Sequence, residues 1–139
     1  MPTTKFLSKE VLVDSSLVRL ILDILALTNI GLSMAILAGG TVRFSFPSYR
    51  PLSDFVNGYI WIWAIWIAFS AILMIIPFKI SNLIGLWLSM FWHIVWTSAF
   101  VVAVISYPTA IATGIALHGG LALISAALLL AKALLYSEG

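Results

Sequence analysis

Residues 82–105 of the chain read NLIGLWLSMFWHIVWTSAFVVAVI, a run that contains no aspartate, glutamate, lysine or arginine. A helix needs about 20 mostly apolar residues to cross the hydrocarbon core of a bilayer, and this run is long enough. Pro108 lies just beyond it, and proline cannot continue a helix. The stretch therefore predicts a transmembrane helix, and the rest of the chain has to be compatible with a membrane.

Three further stretches share the length and the apolar character of this run. Gly39-Gly40 closes the first and Pro77 closes the second, as expected at helix ends. The later spans are joined by short connections, which make neighbouring helices antiparallel. We predict an all-α fold in a single domain over residues 1–139. It is an integral membrane four-helix bundle of antiparallel hairpins, with spans at about 17–38, 55–76, 82–105 and 110–135.

The composition of the whole chain agrees with a membrane location. Of its 139 residues, 63% are hydrophobic and only 9% are charged, whereas a soluble domain has about 45–50% apolar and about 25% charged residues. A soluble domain of this size could not hide so much apolar surface. The chain also lacks cysteine, and its net charge of +2 comes from scattered basic residues. These features exclude a water-soluble fold, a disulfide scaffold, a disordered chain and a nucleic-acid interface.

The distribution of basic residues predicts the orientation of the bundle. Short cytoplasmic loops carry more lysine and arginine than outer loops. With the N-terminus inside, five basic residues lie on the cytoplasmic side and two on the outer side, namely Lys5, Lys9, Arg19, Lys79 and Lys132 against Arg43 and Arg50. We therefore expect both termini in the cytoplasm.

Two histidines fall at similar depths in the last two predicted spans. His93 lies fourteen residues before the turn at Tyr107-Pro108 and His118 ten residues after it, so the two rings differ in depth by roughly 6 Å. The helix faces that carry Ser89 with His93 and His118 with Ser125 are expected to meet. Matched depth suits two axial haem ligands, a shared metal or a proton relay. Simple hydrogen bonding between helices is the alternative.

Two deep tryptophans flank the first of these histidines. A buried indole N–H needs a hydrogen-bond acceptor, so these rings either bond neighbouring helices or line a flat pocket for a quinone, a carotenoid or a lipid. No dedicated metal site is predicted, because two histidines without nearby carboxylates are a weak ligand set. We predict no resident cofactor, with haem b or a quinone as the alternative that the pattern would accommodate. The candidate cofactor-binding residues are His93, His118, Trp92 and Trp96.

Polar residues also mark one face of the first span. Arg19 and Asp23 are four residues apart and can form an ion pair. Asn29 and Ser33 lie on the same broad arc of the helix. We expect a paired ion bridge and polar contacts between helices. The alternative is a proton or cation site at Asp23, because unpaired ionisable groups inside a membrane are costly and commonly functional.

The connection between the first two spans is longer than the others. Residues 41–51 alternate apolar and polar side chains and contain aromatic rings and two arginines. Arg43, Tyr49 and Arg50 can anchor this loop at the outer interface, with the rings at headgroup level. Alternatively, the loop recognises a partner or ligand.

No catalytic pattern is present in the sequence. Paired carboxylates, a nucleophile with a base, a phosphate loop and a metal-ligand cluster are all missing. We therefore predict a non-enzymatic protein that acts in the bilayer by helix association, either as a self-assembling pore or as an accessory subunit of a membrane complex. One alternative is haem, quinone or proton handling at His93, His118 and Asp23. Another is a small transporter that binds its substrate among Asp23, Asn29 and the deep tryptophans.

The architecture resembles the small four-span, holin-like membrane proteins encoded by tailed phages. The resemblance rests on the short charged N-terminus, the Gly39-Gly40 break, the Pro47-Ser48-Tyr49 loop, the tight hairpins and Lys132 near the C-terminus. It implies accumulation as a homo-oligomer, or with other membrane subunits, in the bacterial cytoplasmic membrane. One departure is the tail 136–139, which lacks the strongly charged end of many holins.

Overall fold

The computed structural model describes the backbone of residues 3–137 and the side chains of residues 16–135. The side chains of Lys5 and Lys9, which the sequence predicts on the cytoplasmic side, lie outside this described part. Within the described part every regular element is helical, which confirms the all-α prediction. The elements are α1 (Thr3–Phe44), a 3-10 turn (Pro47–Tyr49), α2 (Arg50–Phe55), α3 (Trp61–Ile75), α4 (Lys79–Ser106) and α5 (Thr113–Ser137).

The bundle is formed by four helices, α1, α3, α4 and α5, and those that follow one another in the chain are also neighbours in space. Helix α1 packs on α3, α3 on α4 and α4 on α5, and a smaller contact between α1 and α5 closes the bundle. All of these chain neighbours run antiparallel, as cross-contacts such as Trp66 to Leu88 and Asn82 to Met74 show for α3 and α4. One end, here called the long-loop end, carries residues 45–60 and 107–112. The other, the termini end, carries the 76–78 link.

Three helical segments are long and apolar enough to cross a membrane: Ser16–Phe44, Lys79–Ser106 and Thr113–Leu135. They correspond to the predicted spans 17–38, 82–105 and 110–135. The break predicted at Gly39-Gly40 falls at Gly40, whose φ of 49° and ψ of −148° interrupt α1. Glycine adopts this positive φ without the steric cost that a side chain would impose.

The predicted span 55–76 needs correction. Its first residues belong to α2 and to a turn in which Asn57 and Gly58 have φ of 51° and 80°. Because such backbone angles end a helix, α3 starts only at Trp61 and has 15 residues. That is about 22 Å of helix, less than the roughly 30 Å of a hydrocarbon core.

Side chains from neighbouring helices satisfy the C-terminal carbonyl groups of this short helix. The amide nitrogen of Asn82 donates to the carbonyl oxygens of Leu73, Met74 and Ile76, at 3.3, 2.9 and 2.6 Å. Arg19 of α1 donates to the oxygen of Ile75 at 3.0 Å. The last carbonyls of a helix have no partner within it, and side chains satisfy them when water cannot. Helix α3 can therefore end within the apolar part of the bundle.

The outer surface of the bundle is apolar, and several polar side chains are buried inside it. On α1, Leu20, Ile24 and Leu27 are more than half exposed, whereas Asn29 and Ser33 are buried. Soluble helices show the opposite pattern, with the apolar stripe facing the core. Two buried apolar clusters fill the bundle, one around Trp63 and Trp96 towards the long-loop end and one around Leu22, Met74 and Leu86 towards the termini end.

Candidate functional site

A layer of polar side chains crosses the middle of the bundle between the two apolar clusters. Its members come from α1, α3, α4 and α5, and none is more than 3% exposed. Buried polar groups are stable only when they are hydrogen-bonded, so a layer of this kind fixes the helices relative to one another. The members are Asn29, Ser70, Ser89, His93, His118 and Ser125.

Hydrogen bonds link these side chains into one network. The amide nitrogen of Asn29 donates to Ser89 at 2.9 Å and, more weakly, to Ser70 at 3.5 Å. The oxygen of Asn29 lies 3.1 Å from Nε2 of His93. The Nδ1 atoms of His93 and His118 are also 3.1 Å apart. The predicted meeting of the two histidine-bearing faces is thus confirmed by direct contact.

The hydroxyl groups determine where the protons of this network lie. Ser70 and Ser125 each donate to a backbone oxygen of their own helix, at 2.8 and 2.9 Å. A hydroxyl has a single proton, so Ser89 is the donor in its 3.3 Å bond to Ser125. Ser89 and Ser70 then accept from the amide nitrogen of Asn29, which leaves the amide oxygen of Asn29 facing His93.

These assignments fix the tautomer of both histidines. A carbonyl oxygen can only accept, so Nε2 of His93 carries a proton, and in the neutral ring Nδ1 of His93 then carries a lone pair. Nδ1 of His118 donates to that lone pair. With both rings neutral, Nε2 of His118 is an acceptor that the network does not use. One added proton at Nε2 of His118 would leave every bond of the network intact. A second added proton, at Nδ1 of His93, would place its N–H against the N–H of Nδ1 in His118.

Aromatic rings surround His118. Its ring centroid lies 5.5 Å from that of Trp92, 5.0 Å from that of Trp96 and 5.7 Å from that of Phe100, which is nearly parallel to it at 8°. Trp92 donates its indole N–H to the backbone oxygen of Trp63. Trp96 has no such partner. Its Nε1 is the single fully enclosed, unpaired side-chain nitrogen or oxygen among the described residues. Nε2 of His118 also has no hydrogen-bond partner, but it is not among these enclosed atoms. It is therefore not fully enclosed by protein.

A partly open cavity of about 380 Å³ reaches His118 from the long-loop end. Aromatic and aliphatic side chains form most of its wall, and hydroxyl groups of Ser48, Thr109 and Thr113 lie among them. Ser48 accepts a bond from the backbone N–H of Ile111 and so ties the long loop to the start of the last helix. The lining residues are Phe46, Pro47, Ser48, Tyr49, Phe100, Thr109, Ile111, Thr113, Gly114, Leu117 and His118.

Glycine at position 114 allows α4 and α5 to approach closely beside this cavity. A Cβ atom there would lie 2.6 Å from the ring of Phe100, closer than side-chain atoms pack. Small residues permit such close approach of helices in membranes. The position of Phe100, which both lines the cavity and stacks on His118, thus depends on the absence of a side chain at Gly114.

The predicted candidate residues separate into two groups. His93, His118 and Asn29 belong to the network, and Trp92 and Trp96 pack on it. The other two predicted polar residues, Arg19 and Asp23, lie towards the termini end and form a partly exposed ion pair at 2.9 Å. The expected pairing is confirmed, but this pair is not part of the histidine network.

The predicted loop residues also have different surroundings. Tyr49 lines the cavity, and its ring contacts that of Phe100 at 5.3 Å. The guanidinium group of Arg50 lies over the ring of Tyr107, at 5.7 Å. Arg43 lies in the last turn of α1 and does not line the cavity. The loop thus covers one side of the cavity through its aromatic residues.

Sequence reasoning missed Ser70 and, among the lining residues of the long loop, Phe46 and Ser48. Ser70 is the only hydroxyl group in α3, whose sequence is otherwise apolar. An isolated serine in such a helix is a signal for a bond between helices, and it could have been used. The contribution of Phe46 and Ser48 to the cavity depends on how the loop folds over the bundle, for which the sequence has no pattern.

The hydrogen bonds of the two histidines bear on the haem hypothesis. Both Nδ1 atoms are engaged in the bond between the rings, and Nε2 of His93 is engaged by Asn29. Two axial ligands of one iron would have to be separated by the metal. Paired haem ligation therefore stays a prediction, and the observed arrangement favours a hydrogen-bonded pair with one open nitrogen.

Comparisons with protein-family models, curated proteins and solved structures found no match. A search of the described residues also finds no group of three or more histidine, cysteine, aspartate or glutamate residues able to hold a metal ion.

Proposed function

We propose that the chain is an integral membrane protein that binds a small, largely apolar molecule in the cavity at the long-loop end. In this proposal the bundle crosses a bacterial cytoplasmic membrane, with both termini inside and the long loop at the outer surface. Three helices of sufficient length and apolarity support a membrane location. The capped carbonyl groups of α3 support burial of this shorter helix among them.

One observation carries the binding proposal. The cavity reaches a buried imidazole with one unused acceptor nitrogen, while the other polar atoms of the layer are engaged with one another. Small-molecule sites typically combine an apolar wall with a few placed polar groups, in volumes of about 300–1,000 Å³. The cavity of about 380 Å³ around His118 fits this description.

Fluorescence of the purified protein in detergent tests the proposal. We choose 4-bromoanisole as the probe, because its bromine quenches nearby tryptophans and Trp96 lies beside His118. Saturable quenching is expected in the wild type. Thr113→Phe, which fills the cavity at its wall, should weaken binding at least about tenfold, a change of about 1.4 kcal/mol.

Thr41→Phe is the matched control, because Thr41 is exposed near the same end of the bundle and does not line the cavity. It adds the same ring and should leave binding unchanged. Quenching that never saturates, or that both variants alter equally, would show partition into the detergent and would contradict the proposal.

A second candidate function is assembly with other membrane helices, as a pore or as an accessory subunit. It is favoured by a surface groove of about 420 Å³ between α4 and α5, whose lining includes Gly119, Ala122 and Ala126. Small residues let a further helix pack closely when no hydrophobic effect acts between helices. Ala122→Leu would obstruct the groove. If assembly is the function, this variant should reduce the particle mass in mild detergent and, for a holin-like pore, prevent permeabilisation of expressing cells.

A further inference from the structure

We infer that the molecule bound in the cavity is an uncharged ring compound that donates a hydrogen bond from an O–H or N–H group to Nε2 of His118. Phenols and quinols are the chemical class that fits best. The inference rests on the proposed binding function and adds to it the polarity, charge and shape of the ligand.

The direction of the hydrogen bond follows from the network on the far side of the ring. Ser70 and Ser125 donate to backbone oxygens, which orients Asn29 with its oxygen towards His93. This orientation makes Nδ1 of His118 a donor and leaves its Nε2 with a lone pair. A ligand that donates completes the network. A ligand with acceptor groups only would place one of them against the lone pair of Nε2 in His118. Neither group would then have a partner, and a buried polar group without a partner is costly.

The charge of the ligand follows from the cavity wall. No lysine, arginine, aspartate or glutamate is among the residues that line it. The loop cation Arg50 lies over the ring of Tyr107. An ion would lose its hydration in such a cavity without gaining an opposite charge. An uncharged compound loses far less.

The shape of the ligand follows from the rings in the wall. Tyr49 and Phe100 meet edge to face, with centroids 5.3 Å apart and an interplanar angle of 74°. Phe46 lies in the same wall. Aromatic side chains favour ring ligands because rings pack on them in offset-stacked or edge-to-face geometry. Such a ring can place a hydroxyl substituent at His118 while its remaining substituents point to the open end.

Paired probes separate the hydrogen bond from the apolar contact. We compare 4-bromophenol with 4-bromoanisole in the full-length protein at pH 7, where this phenol is uncharged. The two compounds share the brominated ring, but methylation removes the donor. The phenol is expected to bind about tenfold more tightly, the effect of one hydrogen bond to a buried acceptor. In His118→Phe the ratio of the two affinities should fall to about one, because neither probe then has an acceptor at this position.

A measurement on the wild-type protein avoids reliance on a variant that fails to fold. With ¹⁵N-labelled histidine, the NMR signal of Nε2 in His118 should shift on adding the phenol and stay nearly unchanged with the anisole. Equal affinities together with an unmoved signal would overturn the donor inference and leave cavity binding intact. Failure of both probes to bind would overturn the proposed function itself.

Discussion

At the scale of single residues, Asn29 holds the polar layer together. It belongs to α1, and its amide group bonds side chains on both α3 and α4. Its oxygen is the acceptor that sets the tautomer of His93, and through it the open nitrogen of His118. A residue at least 64 positions from either histidine in the chain thus determines what the cavity presents to a ligand.

Replacing Asn29 should destabilise the bundle. In Asn29→Leu, the N–H of His93 loses its acceptor, and the cost of leaving such a group unpaired is about 1–3 kcal/mol. We expect the free energy of unfolding, measured by titration with SDS in mixed micelles, to fall by that amount. The control is Thr28→Val, because the hydroxyl of Thr28 bonds only within its own helix. An unfolding midpoint for Asn29→Leu equal to that of the control would contradict a stabilising role of the network.

The sequence predicted part of this site. Similar depth relative to the turn at residues 107–108 correctly indicated that His93 and His118 meet. The role of Asn29 as their partner was not predicted, because it depends on how α1 is rotated and shifted against α4. Rotation is set by side-chain packing over the whole helix, and no local pattern encodes it. The cavity was missed for a similar reason, since its wall includes loop residues.

At the scale of elements, the close contact of α3 and α4 depends on glycine. A Cβ atom at Gly85 would lie 2.7 Å from the backbone oxygen of Ser70 and 2.9 Å from atoms of Met74. The two backbones therefore nearly touch at this point. Gly85 lies one helical turn from Ser89. The contact therefore also sets the distance between α3 and α4 at the polar layer.

A pair of glycine substitutions tests this close contact. Gly85→Ala should separate α3 from α4 and lower the free energy of unfolding by about 1–3 kcal/mol, as overpacking does. Gly31→Ala is the comparison, because nothing lies within 4 Å of the added atom. Alanine favours a helix over glycine by about 1 kcal/mol, so this variant should be as stable as the wild type or more so. The same SDS titration measures both, and equal losses would contradict the packing argument.

The boundaries of the elements show where sequence patterns suffice. The predicted spans 82–105 and 110–135 end within three residues of α4 and α5, because proline and the lack of charge mark them clearly. The span 55–76 was too long because its apolar composition outweighed the turn at Asn57-Gly58. Asparagine followed by glycine is a well-known turn signal, and giving it more weight would have separated α2 from α3.

At the scale of the whole molecule, the proposed orientation places the two ends of the bundle in different compartments. The long-loop end would face outwards, and the 76–78 link would face the cytoplasm with Lys79 beside it. The chain contains no cysteine, so a single introduced thiol is a unique label. Ser45 and Phe78 are both exposed and lie at opposite ends.

Labelling of intact cells tests this orientation. A membrane-impermeant maleimide should modify Ser45→Cys in intact cells but should modify Phe78→Cys only after the membrane is opened. The expectation follows from the excess of basic residues at the proposed inner side. The reverse pattern would show that the bundle is inverted, and modification of both sites in intact cells would argue against a membrane-spanning arrangement.

In the proposed membrane location, the 15 residues of α3 would also affect the surrounding lipid. Beside α4 and α5 a bilayer of ordinary thickness would be matched, but beside α3 the protein would be about 8 Å too thin for it. Lipids next to α3 would have to shorten or tilt their chains, and this hydrophobic mismatch costs energy for every ångström. The protein would therefore favour thin or easily deformed bilayers. It would itself create a local dimple at the flank formed by α3, where small apolar molecules could approach the bundle from the membrane.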